Sequence, residues 1–310
     1  MTLERIAVGS TTEGANSAYL VDGRVLVDPG PPVDTAWTHL RDWLEASLEA
    51  LTDLEYVVCT HWHADHVGLA PRIASAAEAT CCLGHVDAPL LGAYRDERAR
   101  RLERDAAALA AWGVPRPVIE DLIDRDTPSP LPETTPVRRL HDGDVLAGLQ
   151  VLETPGHTRG HIALLADEGV LVGDTVLPTY TPNIGGSDTR TAKTNPLKTY
   201  IETLETLEGV LERSTEGSEP RLYPGHGSRC ERTRIHDIRT HHERRTERIR
   251  GLLEERDSAT PWELATDCFG SLGGIHAKFG AGEVAAHLEY LEGAGAVSEV
   301  DGGKYTLSAA

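Results

Sequence analysis

The sequence predicts a mixed α/β sandwich with helices outside the sheets. Three observations support this prediction. Short β-rich runs alternate with segments of helical spacing along residues 1–228, which we assign to the main domain. Side chains of the metal-ligand type follow several apolar runs, at the end where an α/β scaffold presents residues to a cleft. After residue 256 the composition changes, which indicates a small second unit.

The N-terminal part of the chain predicts a hairpin, a helix and a buried strand, in that order. Residues 16–30 contain two β-rich runs on either side of Asp22-Gly23, a dipeptide that suits the positive φ angles of a tight turn. Leu and Trp recur at helical spacing over residues 36–51, and an apolar strand covers 56–59. Further short strands are predicted at residues 149–153, 162–166, 170–172 and 221–223.

One segment interrupts this alternation before the later strands. Residues 92–126 predict two helices that are broken at Gly113-Val114-Pro115, and we interpret them as a helical insertion. An insertion between strands near a site is typical of a lid. Four of its apolar residues would then line a pocket: Leu109, Trp112, Val114 and Ile119.

The C-terminal part of the chain predicts a linking helix followed by a winged-helix-like unit. Residues 229–256 are rich in Arg and Glu and predict one long helix. Within residues 257–310, a first helix begins with a capping box at Thr260, a second helix covers 281–292, and a hairpin turns at Asp301. Helix, helix and hairpin in this order form the outline of a winged helix.

The charge balance narrows the class of protein. The chain has 30 basic and 49 acidic residues, a formal net charge of −19, and only four of its bases are Lys. Such a surface resembles that of acidic, halophile-type proteins, and it disfavours a polyanionic partner. No apolar run approaches the ~20 residues that cross a bilayer, and the first residues lack the apolar stretch of a secretory leader. The sequence therefore predicts a cytoplasmic protein without a membrane partner.

The densest group of ligand-type side chains lies in residues 61–66, His-Trp-His-Ala-Asp-His, directly after a predicted strand. On a tight loop at a strand end, these four side chains can converge on one point. Imidazole and carboxylate ligands together suit zinc, iron or manganese. Three more candidates follow later strands: His157, Asp174 and His226.

In these motifs the sequence resembles the metallo-β-lactamase superfamily, whose H-x-H-x-D-H, His, Asp and His motifs match in order over residues 61–226. The resemblance implies an αββα sandwich that holds two divalent ions, zinc first, with iron or manganese as alternatives. It assigns His61, His63 and His157 to one ion, Asp65, His66 and His226 to the other, and Asp174 as the bridge. Asp65 is also the candidate catalytic residue, which orients the nucleophile or moves a proton.

The chemistry of such a centre is hydrolysis. Two adjacent divalent ions that share a water lower its pKa and supply a bridging hydroxide near neutral pH. The hydroxide would attack a carbonyl or phosphoryl centre while a metal stabilises the oxygen that gains charge. We therefore expect a dinuclear-metal-dependent hydrolase.

Differences between this sequence and several known branches of the superfamily reduce the range of candidate substrates. Asp174 stands where the antibiotic-hydrolysing enzymes of one large branch carry Cys, which disfavours β-lactam hydrolysis. The stretch between Asp174 and His226 is too short for the inserted domain of β-CASP nucleases. The RNA-gripping arm of tRNase Z and the glutathione-binding pattern of glyoxalase II are not evident. Hydroxyacylglutathione-hydrolase-like proteins and lactamase-like endoribonucleases, which also end in a winged helix, both resemble the chain.

The charge pattern favours a small-molecule substrate. Residues 258–310 carry seven acids against two bases, and helix 281–292 has three Glu and neither Lys nor Arg. A helix that recognises nucleic acid needs Lys or Arg toward the phosphates. We expect a small ester, thioester or lactone as substrate, with an endoribonuclease or a mononuclear iron sulfur dioxygenase as alternatives. The C-terminal unit is expected to pack on the catalytic domain or on a second subunit of a homodimer.

The other histidines are expected to lie mostly outside the site. Surface or loop positions are predicted for His39, His141, His236, His241, His242, His276 and His287. Two more are candidates for contact with the site or the substrate: His85 and His161.

Overall fold

The computed structural model describes residues 1–11, 14–167, 169–191, 195–213 and 221–308. The strands of its first sheet lie side by side in chain order: β1 (Leu3–Thr11), β2 (Gly14–Val21), β3 (Val25–Val27), β4 (Tyr56–Cys59), β5 (Thr80–Gly84) and β6 (Arg138–Leu140). The second sheet also follows chain order: β7 (Val145–Leu146), β8 (Leu149–Glu153), β9 (Ile162–Ala166), β10 (Gly169–Gly173) and β11 (Arg221–Pro224). Pairing is antiparallel from β1 to β3 and from β7 to β10, and parallel from β3 to β6 and between β10 and β11.

The helices in the described ranges are α1 (Asp34–Ser47), α2 (Ala64–Val67), α3 (Ala70–Ala77), α4 (Ala88–Gly92), α5 (Tyr94–Ala111), α6 (Arg116–Arg125), α7 (Pro196–Arg213), α8 (Thr233–Glu254), α9 (Pro261–Phe269) and α10 (Ile275–Gly293). A hairpin of β12 (Val297–Val300) and β13 (Lys304–Leu307) follows them. None of these helices is both long enough and apolar enough to cross a bilayer.

Two sheets packed face to face, with helices on both outer surfaces, form the predicted αββα sandwich. The alternation along β2 shows how the sequence builds these layers, since successive side chains of a strand point to opposite faces. Tyr19 and Val21 are buried between the sheets, whereas Ala18 and Leu20 are buried in the core under α1 and α3. On the far side, α7 and α8 cover the second sheet through residues such as Leu204. The predicted fold class is confirmed.

Several predicted elements have the predicted limits. The strands β4, β8 and β9 begin and end at the predicted residues. At the predicted hairpin turn, Asp22 has φ 49° and Gly23 has φ 67°, the left-handed region that Gly and Asp tolerate better than most residues. These elements depend on local patterns, which is why the sequence predicts them well.

The insertion forms the two predicted helices, α5 and α6, with Gly113 at φ 80° between them. The four residues predicted to line a pocket, however, are not among those that line the cavity beside the predicted ligands, and that prediction is wrong. They pack against α10 instead, where Leu109, Trp112 and Val114 are buried and Ile119 is half-buried. Ala281 and Ala285 of α10 form the other side of this contact. The apolar face of α5 is covered by a helix that lies far along the chain.

The C-terminal segment contains the predicted helix, helix and hairpin, and its winged-helix class and boundaries stay predictions. The capping box of α9 is present: Thr260 Oγ1 accepts from the backbone of Glu263 at 3.2 Å, and Glu263 Oε2 accepts from the backbone of Thr260 at 2.8 Å. Helix α10 begins at Ile275 rather than at residue 281. Its apolar residues Val284, Leu288 and Leu291 are buried against α8 and α9.

Candidate metal centre

Each of the predicted ligands lies on a loop or short helix that follows a strand. His61 and His63 follow β4, Asp65 and His66 lie on the four-residue helix α2, His157 follows β8, Asp174 follows β10, and His226 follows β11. The carboxyl ends of these strands meet at one edge of the sandwich, so side chains from distant parts of the chain converge there. The structure brings all seven together in three overlapping groups.

The first group consists of three imidazoles. His61 Nε2 lies 2.9 Å from His63 Nδ1, and His157 Nε2 lies 3.1 Å from the same nitrogen. A tetrahedral zinc ion with bonds of about 2.0–2.1 Å separates its ligand atoms by about 3.3 Å. The spacing in this group is therefore close to that of one shared ion.

The second group combines two imidazoles with a carboxylate. His66 Nε2 lies 3.3 Å from His226 Nε2, and His226 Nε2 lies 3.4 Å from Asp65 Oδ2. Asp65 Oδ2 is also 3.8 Å from His66 Nε2. This triangle has the dimensions of a second site for one divalent ion.

Asp174 lies between the two groups. Its Oδ2 is 3.7 Å from His157 Nε2 and 3.4 Å from His226 Nε2, while its Oδ1 is 3.5 Å from His66 Nε2. Oδ1 is buried and has no hydrogen-bond donor in the described part of the chain. A buried carboxylate oxygen without a donor is costly unless a cation binds it. The bridging position predicted for Asp174 fits this geometry, although ligation itself stays a prediction.

Hydrogen bonds behind the ligands fix which imidazole nitrogen faces the centre. Asp28 Oδ2 lies 3.0 Å from His66 Nδ1 and accepts the Thr60 hydroxyl at 2.8 Å. Because the Thr60 hydroxyl donates to Asp28, Thr60 Oγ1 is free to accept from His61 Nδ1, which lies 3.1 Å away. Both imidazoles then carry their proton on Nδ1 and present the lone pair of Nε2 to the centre.

The charge states of the buried groups suit a divalent cation. Burial holds the pKa of His61 well below its usual value and lowers that of His63 to about 3, so both are neutral at pH 7. Burial alone would raise the pKa of Asp174, but the imidazoles of His66 and His226 outweigh it and hold that pKa well below its usual value. Asp174 in turn raises the pKa of both imidazoles against the effect of burial. His61, His63 and Asp174 are thus in the forms that bind metal, whereas a metal ion would compete with protons for His66 and His226. Lone pairs converging at about 3 Å repel one another unless a cation lies between them.

Comparison with known proteins agrees with this geometry. A family model described as the metallo-beta-lactamase superfamily matches residues 11–213. The chain belongs to this superfamily. It is 28% identical over 298 residues to the probable metallo-hydrolase YqjP of Bacillus subtilis, a match that covers 90% of this chain and 88% of that relative.

Two solved structures share the fold over almost the whole chain. A metallo-beta-lactamase family protein from Thermus thermophilus has a TM-score of 0.75 at 27% identity, and the match covers 98% of each chain. A beta-lactamase domain protein from Burkholderia ambifaria has a TM-score of 0.76 at 24% identity, and the match covers 99% of this chain and 92% of the other. The likeness includes the C-terminal segment, because so little of either chain is left out.

Three residues that support the superfamily motifs were missed by the sequence analysis. Asp28 follows β3 in a strand-end position like those of the predicted ligands, so its position could have revealed it. Asn16 Nδ2 donates to Asp65 Oδ2 at 3.2 Å and to the Asp65 carbonyl at 3.0 Å. The carbonyl of Asn183 lies 3.2 Å from His157 Nδ1. Neither asparagine has a sequence pattern that marks it.

His161 supports the centre from behind. The backbone N–H of Asp174 donates to His161 Nε2 at 3.1 Å, so His161 carries its proton on Nδ1, which lies 2.7 Å from Thr154 Oγ1. Its ring also stacks on His61 with centroids 5.1 Å apart. His85 contacts other residues: it stacks on His141 with centroids 4.3 Å apart, and its Nδ1 lies 3.1 Å from Glu153 Oε1.

Two histidines predicted at the surface are buried. His242 of α8 and His287 of α10 lie where these helices pack together, with His242 Nδ1 and His287 Nε2 3.4 Å apart. Thr246 Oγ1 lies 2.8 Å from His287 Nδ1. The prediction was wrong because it treated both helices as surface elements. His39, His236 and His276 are exposed, as expected.

A cavity of about 440 Å³ opens beside the ligands. Its floor includes His63, Asp65 and His157, and its apolar walls include Trp62, Leu90, Tyr94, Leu131 and Phe279. Its cationic side chains are Arg98, Arg101 and Lys278. Asp126 pairs with both arginines, each at 2.7 Å, and Asp105 lies 2.8 Å from Lys278 Nζ. The walls therefore come from the loop after β4, from α4, from the first half of α5, from the segment after α6 and from the start of α10.

Proposed function

We propose that this chain is a dinuclear-metal-dependent hydrolase that acts on a small ester, thioester or lactone. The observation that carries the proposal is the position of Asp174, a buried carboxylate within 3.7 Å of ligand nitrogens from both groups. A bridging carboxylate between two sets of imidazoles is an arrangement for two ions rather than one. The hydrolase name given to the Bacillus subtilis relative agrees with this chemistry.

The donor set supports zinc first, with iron or manganese as alternatives, since imidazole and carboxylate ligands suit all three. When bound, two such ions lower the pKa of a shared water and stabilise negative charge on the oxygen of the attacked group. His61, His63 and His157 would hold one ion, and Asp65, His66 and His226 the other. Asp28 and Asn183 would keep the imidazoles of His66 and His157 oriented.

Asp65 is the residue we propose to handle protons. Its side chain is 25% exposed and lines the cavity, whereas the side chain of Asp174 is 1% exposed. Asn16 donates to its Oδ2 and so fixes the direction of the carboxylate. A carboxylate that touches both the centre and the cavity can orient the nucleophile and pass a proton to the leaving group.

The cavity supports a small substrate of mixed character. Its volume of about 440 Å³ lies within the range of about 300–1,000 Å³ that small-molecule sites occupy. Apolar walls such as Trp62 and Phe279 suit an acyl chain or ring of the substrate. Arg98 suits an acidic or polar group on the same substrate.

The surroundings of α10 support a small molecule rather than nucleic acid as the substrate. The helix expected to recognise bases in a winged helix is buried along most of its length, between α5, α7, α8 and α9. Two of its glutamates also have structural roles: Glu283 pairs with Arg245, and Glu289 accepts from the backbone of Asn195 at 3.0 Å. A buried and acidic helix is unsuited to a groove lined by phosphates.

Elemental analysis and a substrate panel test this function together. We expect two divalent ions per chain in metal-replete protein and turnover of at least one ester, thioester or lactone. The panel includes phosphodiesters and labelled RNA, and Asp174→Ala serves as the inactive control. Turnover of RNA alone would replace the proposed substrate by that of an endoribonuclease. One iron per chain with oxygen consumption would favour the sulfur dioxygenase, and absence of metal would contradict the proposal.

A further inference from the structure

Helix α10 and the segment that follows Asn183 touch backbone to backbone. A Cβ atom added at Gly282 of α10 would lie 2.4 Å from Gly186 Cα and 2.6 Å from Gly186 N. A Cβ atom added at Gly186 would lie 2.6 Å from Phe279 Cα. Real Cβ atoms essentially never approach other atoms so closely, so both positions need glycine for this contact to exist.

Asn183 makes this contact specific. Its Nδ2 donates to the Phe279 carbonyl at 3.2 Å and to Glu283 Oε2 at 3.0 Å, and both acceptors lie on α10. Glu283 is held in turn by Arg245 of α8. The side chain of Asn183 is therefore fixed by a helix that begins almost a hundred residues later in the chain.

The same segment holds His157. The Asn183 carbonyl lies 3.2 Å from His157 Nδ1, and Ser187 Oγ lies 2.7 Å from the His157 carbonyl. Ser187 Oγ is also 3.0 Å from the Asn183 carbonyl. Asn183 thus connects α10 to His157: its side chain is hydrogen-bonded to α10, and its backbone carbonyl accepts from the imidazole of His157.

We propose that α10 is a positioning element of the metal centre, which fixes the imidazole of His157 by holding Asn183. The inference rests on the proposed function only in that His157 binds a metal ion. An acceptor at Nδ1 keeps the proton on that nitrogen and aims the Nε2 lone pair, and loss of such partners costs about 10–100-fold in metal affinity. The C-terminal segment thereby controls the affinity of the first ion, besides forming a wall of the cavity.

Two glycine-to-alanine variants separate this positioning role from general effects on stability. Gly282→Ala places a methyl group where Gly186 lies, so α10 must move away from Asn183. Gly251→Ala makes the same change within α8, where an added Cβ meets nothing within 4 Å. We expect Gly282→Ala to lower the zinc affinity of one site by about 10–100-fold and Gly251→Ala to leave both affinities unchanged. Competition with a chromogenic chelator measures both affinities without any substrate.

Two substitutions of Glu283 provide a second test if Gly282→Ala does not fold. Glu283→Ala removes one acceptor of Asn183 Nδ2, whereas Glu283→Gln retains an oxygen acceptor there. We expect weaker zinc binding in Glu283→Ala and recovery of most of it in Glu283→Gln. Circular dichroism of the metal-free proteins confirms that the helices are intact.

The outcomes separate this inference from the proposed function. If wild type binds two zinc ions, and folded Gly282→Ala or Glu283→Ala binds both as tightly, α10 has no positioning role and the proposed function stands. If wild type binds none of zinc, iron and manganese, both proposals fail. Weaker zinc binding in Glu283→Gln as large as that in Glu283→Ala would assign the effect to the charge pair with Arg245 and overturn the inference.

Discussion

Asp174 is the residue on which both groups of ligands depend. Asp174→Ala is expected to lower metal affinity and turnover by more than about 100-fold, since loss of a partner behind a ligand already costs about 10–100-fold. The fold should persist, because the variant removes a buried charge whose Oδ1 has no donor in the described residues. Elemental analysis, turnover and circular dichroism check the three parts. Near-wild-type turnover would show that Asp174 does not bridge.

Asp28 orients a ligand without being one. Asp28→Asn keeps the size of the side chain but turns an acceptor facing His66 Nδ1 into a weaker or competing group. We expect a loss of about 10–100-fold in the affinity of the second ion, measured by chelator competition. Asp34→Asn is the control, since the side chain of Asp34 is 96% exposed. Equal affinities in the two variants would contradict the role of Asp28.

The sequence predicts the roles of some residues at the site but not of others. The ligand types and their order along the chain were predicted, because each follows an apolar strand whose pattern is local. Asn16 and Asn183 were not predicted, because their partners come from other elements. A hydrogen bond between residues 26 positions apart, such as that between His157 and Asn183, depends on how loops pack and has no periodicity to detect.

At the scale of elements, the contact between α8 and α10 is expected to be sensitive to acid. Burial lowers the pKa of His242 to about 3 and holds that of His287 well below its usual value. The unfolded chain takes up protons on these histidines below pH 6.5, whereas the folded protein does not. The contribution of these two histidines to the free energy of unfolding is therefore fully present above about pH 6.5, and it is lost as the pH falls toward 3. Each histidine contributes up to about 1.4 kcal/mol per pH unit in this range.

Urea denaturation at pH 7.5 and pH 5.5 measures this dependence. His242→Leu should reduce the difference in the free energy of unfolding between the two pH values by about 1 kcal/mol. His236→Leu is the matched control on the same helix, because His236 is exposed. A pH dependence that is the same in both variants and in wild type would refute the assignment.

The first half of α5 is expected to contribute to substrate selection. Arg98 lines the cavity and pairs with Asp126 at 2.7 Å, but its buried Nε has no acceptor in the described part of the chain. We expect Arg98→Met to raise the KM for a carboxylate-bearing substrate by about 10–100-fold, the value of one charge-assisted hydrogen bond. The KM for a neutral analogue should change much less. Equal changes for the two substrates would show that Arg98 only shapes the cavity.

The helices of the insertion show what helical spacing can and cannot predict. The pattern of apolar residues located α5 and α6 and the break at Gly113. It could not predict which element covers the apolar face, since a lid and a packed helix have the same periodicity. The partner, α10, begins 150 residues after the end of α6.

At the scale of the whole molecule, the net charge of −19 is expected to make stability depend on salt. Repulsion among surface carboxylates weakens the compact state, and ions screen it over about 3 Å at 1 M and about 10 Å at 0.1 M. We expect the melting temperature to rise between 0.1 M and 1 M KCl. Calorimetry of the metal-loaded protein measures the change, and a melting temperature that falls or stays constant would contradict it.

The architecture of the molecule was the easiest feature to predict. Strand and helix order predicts an α/β sandwich with outer helices, and the resemblance carried by the motifs implies the αββα arrangement, without knowledge of any tertiary contact. The dense packing of α10 on the sandwich was harder to predict, because its charge and its glycines gave no sign of a buried helix. Gly282, which costs stability in an isolated helix, is explained only by the backbone that it touches.

The contact between Gly282 and Gly186 has a consequence for the order of events during synthesis. A ribosome has made all seven candidate ligands once residue 226 is complete, and a nascent sandwich could already collapse around them, since N-terminal regions fold first. Asn183 and Ser187, which contact His157 directly, are made by then, but the α10 residues that hold Asn183 follow some fifty residues later. A chain interrupted between these points would hold ions loosely and exchange them quickly. Correct metal loading would then mark a chain that the ribosome has nearly finished.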